Sequence, residues 1–257
     1  MRKHLYVDSV DLATYGVYIS GQGTFGAGER EYTFYDVPSR DGALVGAQTR
    51  LANVSVSYDC FIYTNFETNI RNLRSFLLSR VGYVKINDDY DTTHYRMAVY
   101  EGPFEPTVTT KNDAGQFTLT FNCQPQRWLT SGNTTVTINA GDGAFAVIGT
   151  NPSPFKSKPI IEVYGSGFFT LNNVKVTVDA ISGASSVVID CDTMACTYLD
   201  GYGFKYDASY AVGFADYLSG VNDVDAPVLK SGQNKIDASN YAFTVTKIVI
   251  TPRWWEV

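Results

Sequence analysis

Apolar and polar residues alternate at period two along most of the chain. The clearest run is NVSVSYDCFIY (53–63), which reads as a half-buried strand. YGVYISG alternates and ends at Gly21; REYTFYDV alternates and breaks at Pro38. Between them and the long run, SRDGAL reads as a turn, with Asp41-Gly42 supplying the bend. GYVKIND, a turn through DDYDTT, HYRMAVYEG and GQFTLTFNCQPQRWL continue the strands, the last stopping at Pro125. One segment changes period. TNFETNIRNLRSFLLSRVG sets Ile70, Leu73, Phe76 and Leu77 on one face and predicts an amphipathic helix at about 65–80. Thr64 and Glu67 are spaced for a capping box, Arg71, Arg74 and Arg80 suit the C-terminal end, and Gly82 suits its closure. Such a helix needs a sheet beneath its apolar face.

After TSGNTT, which reads as a linker, no helical period appears. TTVTINAG, PIIEVYGSG, FFTLNNVKVTVDA, SSVVIDCD and YAFTVTKIVIT each read as a short strand, punctuated by Gly or Asn at roughly 8–12-residue spacing. GVNDVDAP reads as an acidic loop. The fold class predicted is mainly β: an N-terminal β-domain with one helix (1–131), then a β-sandwich or small barrel (132–257).

Composition narrows the function. Hydrophobic residues are 44% and aromatics 14% of 257, which argues against disorder. The net charge is −6 with no cluster of Lys or Arg, so specific nucleic-acid binding is not expected. No run approaches the ~18 apolar residues of a membrane span, so membrane insertion is not expected either. In MRKHLYVDSVDL, Asp8 and Asp11 interrupt any apolar core, which is unlike a signal peptide, and synthesis and folding in a cytoplasm are expected. Cys60, Cys123, Cys191 and Cys196 lack the density of a disulfide scaffold and read as free, partly buried thiols.

Motifs that carry chemistry do not assemble. GQGTFG (Gly21, Gly23, Gly26) matches a dinucleotide-binding pattern, but a strand-like segment follows where a helix is required. NDDYD (87–91) starts like a calcium loop, yet Thr92 and Ala98 stand where Gly and Glu are needed, so it reads as an acidic hairpin turn. Asp190 and Asp192 form an isolated D-x-D, and His4 and His94 lack zinc-ligand spacing. The aromatic run Tyr198, Tyr202, Phe204, Tyr206, Tyr210, Phe214 and Tyr217 would suit a sugar-stacking platform, but reads first as core packing. No catalytic residue, cofactor site or metal site is predicted, and a binding or assembly part is expected rather than an enzyme.

FTLTFNCQPQRW (117–128) and FTVTKIVITPRW (243–254) align without a gap. Each is a strand, then a proline, then Arg-Trp, at the close of one half of the chain. Arg127, Trp128, Pro252, Arg253, Trp254 and Trp255 are therefore candidate domain-clasp residues, with the final segment expected to lock the two halves together.

YDVPSRDGAL, the helix followed by GYVKINDDYDTTHYRMAVYEGPFEP, DAGQFTLTFNCQPQRWL, SKPIIEVYGSG, VIDCDTM, LKSGQNKI and ITPRWW occur in order along nearly the whole chain. In this combination the sequence resembles the distal tail proteins of long-tailed phages and prophages of Gram-positive bacteria. The match is loosest at 197–226, where this chain is longer and more aromatic. The resemblance implies a virion structural protein at the distal end of the tail, a baseplate hub. It implies a hexameric ring joining the tail tube protein to the tail-associated tip protein, often with receptor-binding proteins attached. It also implies a ring-forming N-terminal half and a galectin-like C-terminal β-sandwich. On that reading Tyr35, Asp36, Val37, Pro38, Arg40 and Asp41 are candidates for an arm reaching the neighbouring subunit, and the acidic balance suits a channel that DNA crosses without sticking. The alternative is a carbohydrate-binding module acting in host cell-wall recognition.

Overall fold

Strand alternation and one helical stripe fold into two units, Met1–Arg127 with Val257, and Trp128–Glu256. The computed structural model describes residues 2–21, 23–46, 50–109, 113–139, 145–222, 224–237 and 245–257.

The first unit contains β1 (Leu5–Val7), β2 (Val10–Asp11), β3 (Tyr18–Ser20), β4 (Phe34–Tyr35), β5 (Leu44–Val45), β6 (Val54–Ile62), α1 (Phe66–Leu78), β7 (Val84–Asp88), β8 (Asp91–Tyr100), β9 (Thr107–Val108) and β10 (Gly115–Cys123). The main sheet runs β2-β1-β7-β8-β10-β6-β3, with β9 on the start of β10. Its centre is the nine-residue antiparallel pair of β6 and β10, in register Tyr58↔Leu119 and Val56↔Phe121. Val54, Val56, Tyr58, Cys60 and Ile62 face inward with Phe117, Leu119, Phe121 and Cys123. The outward set is small and polar: Ser55, Ser57 and Asp59 beside Gln116, Thr118, Thr120 and Asn122.

Helix α1 closes this core with Phe66, Leu73, Phe76 and Leu77. Burying four such side chains is worth about 6–12 kcal/mol as an upper figure, enough to hold a thirteen-residue helix that is marginal alone. Gly115 makes room for it, since a Cβ there would lie 2.1 Å from the Phe66 ring. The expected capping box does not form. Asn65 is the N-cap in a left-handed conformation with no side-chain capping bond, and its N–H donates to Asp113 Oδ1 at 2.6 Å. Nor do the arginines line the last turn. Arg71 pairs back to Glu67 at 3.1 Å, and Arg80 lies past the helix, over Phe76 and 3.4 Å from Asp8. Gly82 is left-handed but sits beyond the Ser79 cap rather than forming it. NDDYD is the β7–β8 hairpin turn, in which Asp88 Oδ1 accepts the N–H groups of Tyr90 and Asp91.

The second unit begins within the short strand β11 (Arg127–Leu129). It contains β12 (Val136–Asn139), β13 (Phe145–Asn151), β14 (Ile160–Tyr164), β15 (Gly167–Leu171), β16 (Val174–Val178), β17 (Ala184–Asp190), β18 (Ala195–Asp200), β19 (Lys205–Asp207), β20 (Val212–Asp216), β21 (Gly232–Asp237), β22 (Lys247–Thr251) and β23 (Trp255–Glu256). Two antiparallel sheets, β12-β22-β14-β17-β18-β19 and β13-β21-β15-β16-β20, form a sandwich. One core joins Ile161, Val163, Ile189, Ile248 and Ile250 of the first sheet to Phe169, Leu171, Val176 and Ile236 of the second. FFTLNNVKVTVDA is not one strand but a hairpin, β15–β16. Asn172 and Asn173 both take positive φ, +48° and +73°, as a two-residue hairpin turn requires. All four cysteines are free and buried.

Candidate interaction surface

The segment around the predicted arm folds as a separate two-stranded ribbon. Phe34 pairs with Val45 and Tyr35 with Leu44, and the pairing continues downward through Gly46 N–H to Thr33 O, Glu31 N–H to Arg50 O and Ala52 N–H to Glu29 O. Its tip turns through left-handed Ser39 and Gly42. Its base is pressed tightly to the body of the first unit. A Cβ on Gly28 would lie 2.5 Å from Ala52 O and 2.9 Å from the Pro125 ring, so only glycine fits.

The ribbon has no buried core of its own. Phe34 is 63% exposed, and Tyr32, Tyr35, Val37, Leu44 and Val45 are exposed as well. Asp36, Arg40 and Asp41 are exposed at the tip. A lone two-stranded ribbon is marginal in water, and a contiguous apolar surface of this kind marks an interaction site. The sequence points to the segment 35–44. It does not single out the flanking Tyr32, Phe34 and Val45, whose signal is apolar residues on both faces of a segment too short to bury either.

The six candidate clasp residues fall on both sides of the division: Arg127 in the first unit, the other five in the second. Arg127 pairs with Asp91, which also accepts His94 Nδ1 at 2.7 Å. Burial raises the Asp91 carboxyl pKa, but hydrogen bonds from Thr93 and the neighbouring His94 outweigh it and hold the group below its ordinary value. Arg253 pairs with Asp190 at 3.0 Å and approaches Asp192 at 3.8 Å, with its guanidinium over the Trp128 ring at 5.3 Å. Each Arg of the repeated Arg-Trp thus meets an aspartate of its own unit, and the D-x-D is a cation-paired structural element. Phe243 and Thr244 of the second repeat lie outside the described residues.

Around Arg253 the chain is tightly specified. Its φ is +59°, an uncommon conformation for a non-glycine residue. Its N–H donates to Gly132 O at 2.8 Å, and Leu129 N–H donates to Trp254 O at 2.9 Å. Ser157 Oγ donates to Pro252 O at 2.8 Å. Trp254 enters the sandwich core at 5% exposure. Trp255 stacks on Phe155 with centroids 4.5 Å apart and donates Nε1–H to Lys156 O.

A small cavity of about 40 Å³ in the first unit is lined by Tyr58, Asp88, Asp91, His94, Arg96 and Arg127, among others. Tyr58 donates to Asp88 at 2.8 Å, and burial pushes its phenol far above the ordinary value. Buried Arg96 donates to Gly26 O at 2.7 Å. The space suits about one water molecule rather than a substrate. Among the described residues no group of three or more His, Cys, Asp or Glu is placed to hold a metal ion, and no helix is long and apolar enough to cross a membrane.

The aromatic run is not core. Tyr202, Phe204, Tyr206, Tyr210 and Tyr217 are exposed, and only Tyr198 and Phe214 pack partly against the sandwich interior. The reason is topological: Tyr206 is on β19, the outermost strand of its sheet, Tyr202 and Phe204 are in the turn before it, Tyr210 follows it, and Tyr217 follows β20, the outermost strand of the other sheet.

No protein-family model matches the chain, and no curated protein matches it. Among solved structures it is similar to the crystal structure of the SPP1 Dit (gp 19.1) protein, described as a paradigm of the hub adsorption apparatus in Gram-positive infecting phages. The TM-score is 0.63 at 16% identity, and the match covers 100% of both chains. The likeness is one of fold, over the full length of each chain.

Proposed function

We propose that this chain is a structural hub protein of a phage tail, located in the virion at the distal end. It assembles into a ring, a hexamer by the resemblance, that joins the tail tube protein to the tail-associated tip protein and the host-adhesion apparatus, including receptor-binding proteins. It acts without catalysis or cofactor, and is made in the cytoplasm of the bacterial host.

The observation that carries this reading is the ribbon of β4 and β5. A coreless, apolar hairpin on an otherwise well-packed unit is best satisfied by a neighbouring copy of the chain. The exposed Asp36, Arg40 and Asp41 at its tip supply charges that fix register between subunits more than they add affinity. The full-length fold likeness to a hub protein supports the same conclusion. So does the outward face of β6 and β10, two strands without a single Lys or Arg. Such a face offers little attraction to phosphate if it borders a DNA passage. Negative-stain imaging of the purified protein tests the proposal. Closed rings are expected, and a field of isolated single-chain particles would overturn it.

A further inference from the structure

The hairpin of β18 and β19 carries an exposed aromatic surface. Tyr198 and Tyr206 are cross-strand partners whose rings stack at 5.1 Å with planes 24° apart. Tyr202 is 90% exposed and Tyr210 is 72% exposed, with Phe204 and Tyr206 between them. Phe204, at the turn, and Tyr206, on β19, are 64% and 46% exposed.

The tip that holds these rings is pinned. Asp200 Oδ1 accepts the N–H groups of Tyr202 at 2.9 Å and Phe204 at 2.8 Å. Asp200 N–H donates to Phe204 O, and Gly203 N–H donates back to Asp200 O with Gly203 at φ +85°. On the far side, Asp207 accepts both Ser209 N–H and Ser209 Oγ–H. Both carboxylates are thereby engaged with the hairpin's own groups. What faces solvent is Tyr202, Phe204, Tyr206, Tyr210 and Lys205, with Tyr198 half-buried beneath Tyr206.

We propose that this face is a stacking platform for a neutral saccharide chain, a sugar-binding site on the second unit. Three observations choose this occupant. First, the patch is small: at about 200 Å² per fully exposed aromatic residue it presents roughly 500 Å², short of the ~800 Å² per partner of a stable protein interface. Second, β19 has only three residues, too few for an added strand to gain a useful ladder. Third, the surface chemistry fits a sugar. Flat phenol rings meet the C–H faces of pyranoses, their hydroxyls bond sugar hydroxyls, and little free charge selects against a neutral ligand. A pinned tip keeps the ordering cost of binding low. The inference stands on this hairpin and does not depend on ring formation.

The test is calorimetric titration of the full-length protein with cellohexaose and with N-acetylchitohexaose, two neutral chains of flat β-linked pyranoses. Binding of at least one is expected. Tyr202→Ala with Phe204→Ala should weaken it by about tenfold or more, with an unchanged melting curve because both side chains are exposed. Tyr202→Trp should retain binding and report it by a change in indole emission. Val81→Ser, at an exposed site in the first unit, should bind as the parent does. Failure of both saccharides to bind at millimolar concentration would overturn the proposal. So would binding unaffected by the double alanine variant. A shift of the parent's oligomeric mass on that substitution, without any saccharide binding, would assign the patch to a second copy instead.

Discussion

Replacing Gly132 with alanine tests how the second unit is closed. A Cβ at this position would lie 2.3 Å from Trp254 N and 3.1 Å from Trp254 Cα and Cβ. The obstacle is backbone, so no rotamer change relieves it. Gly132 O also accepts the Arg253 N–H, which ties both partners to one place. The segment must therefore move outward and carry the buried Trp254 ring with it. Overpacking costs about 1–3 kcal/mol, and full loss of a Trp from a core costs about 3–5 kcal/mol. A partial displacement should fall near 2–4 kcal/mol. At about 3 °C per kcal/mol for a unit of this size, the melting temperature drops by roughly 6–12 °C. Differential scanning calorimetry measures this, with Gly115→Ala as the companion in the first unit, where the Cβ meets the Phe66 ring. A Gly132→Ala melt within a degree of the parent would refute the idea that close backbone packing holds Trp254 in place.

Removing Pro252–Val257 should destabilise the protein by at least as much as Gly132→Ala, because Trp254 and the Arg253–Asp190 pair are both lost; an unaltered melt would contradict this. Phe34→Ser with Val45→Ser, or Arg40→Glu alone, should lower the assembled mass seen by light scattering without lowering the melt of a single chain, and unchanged mass would remove the ribbon from the interface. Burial pushes the thiols of Cys60 and Cys191 up to about 12, and those of Cys123 and Cys196 up to about 11, above the ordinary thiol value. The folded chain therefore keeps protons that the unfolded chain releases, so the thiol contribution to stability is complete below pH 9 and is lost as pH rises toward 11–12. Chemical denaturation across that range should show the decline, and a thiol reagent at pH 8 should label all four only after unfolding.

Period alone made part of the fold legible. β6, β10 and α1 could be read directly because their apolar faces meet one core and nothing competes with it. Local chemistry was less reliable. Thr64 and Glu67 have capping-box spacing, yet Asp113, forty-eight residues beyond Asn65 in sequence, takes the N-terminal position instead. The Asn172–Asn173 turn was visible as two letters in a longer β-like run, and its significance lies in two positive φ angles that a run of apolar residues conceals. The aromatic run misled most. Tyr198 to Tyr217 has the composition of a core, but exposure depends on β19 and β20 being the last strands of their sheets, which is a property of strand order and not of local sequence. The arm was legible at its charged tip and obscure along its apolar sides, because an apolar strand looks the same whether its own chain covers it or another copy does.

Assembly through the β4–β5 ribbon is the central claim, and the mass of the purified full-length protein in solution tests it most directly. Multi-angle light scattering should return a closed oligomer, near six times the 28.3 kDa of one chain. A single-chain mass that persists at high protein concentration would contradict it.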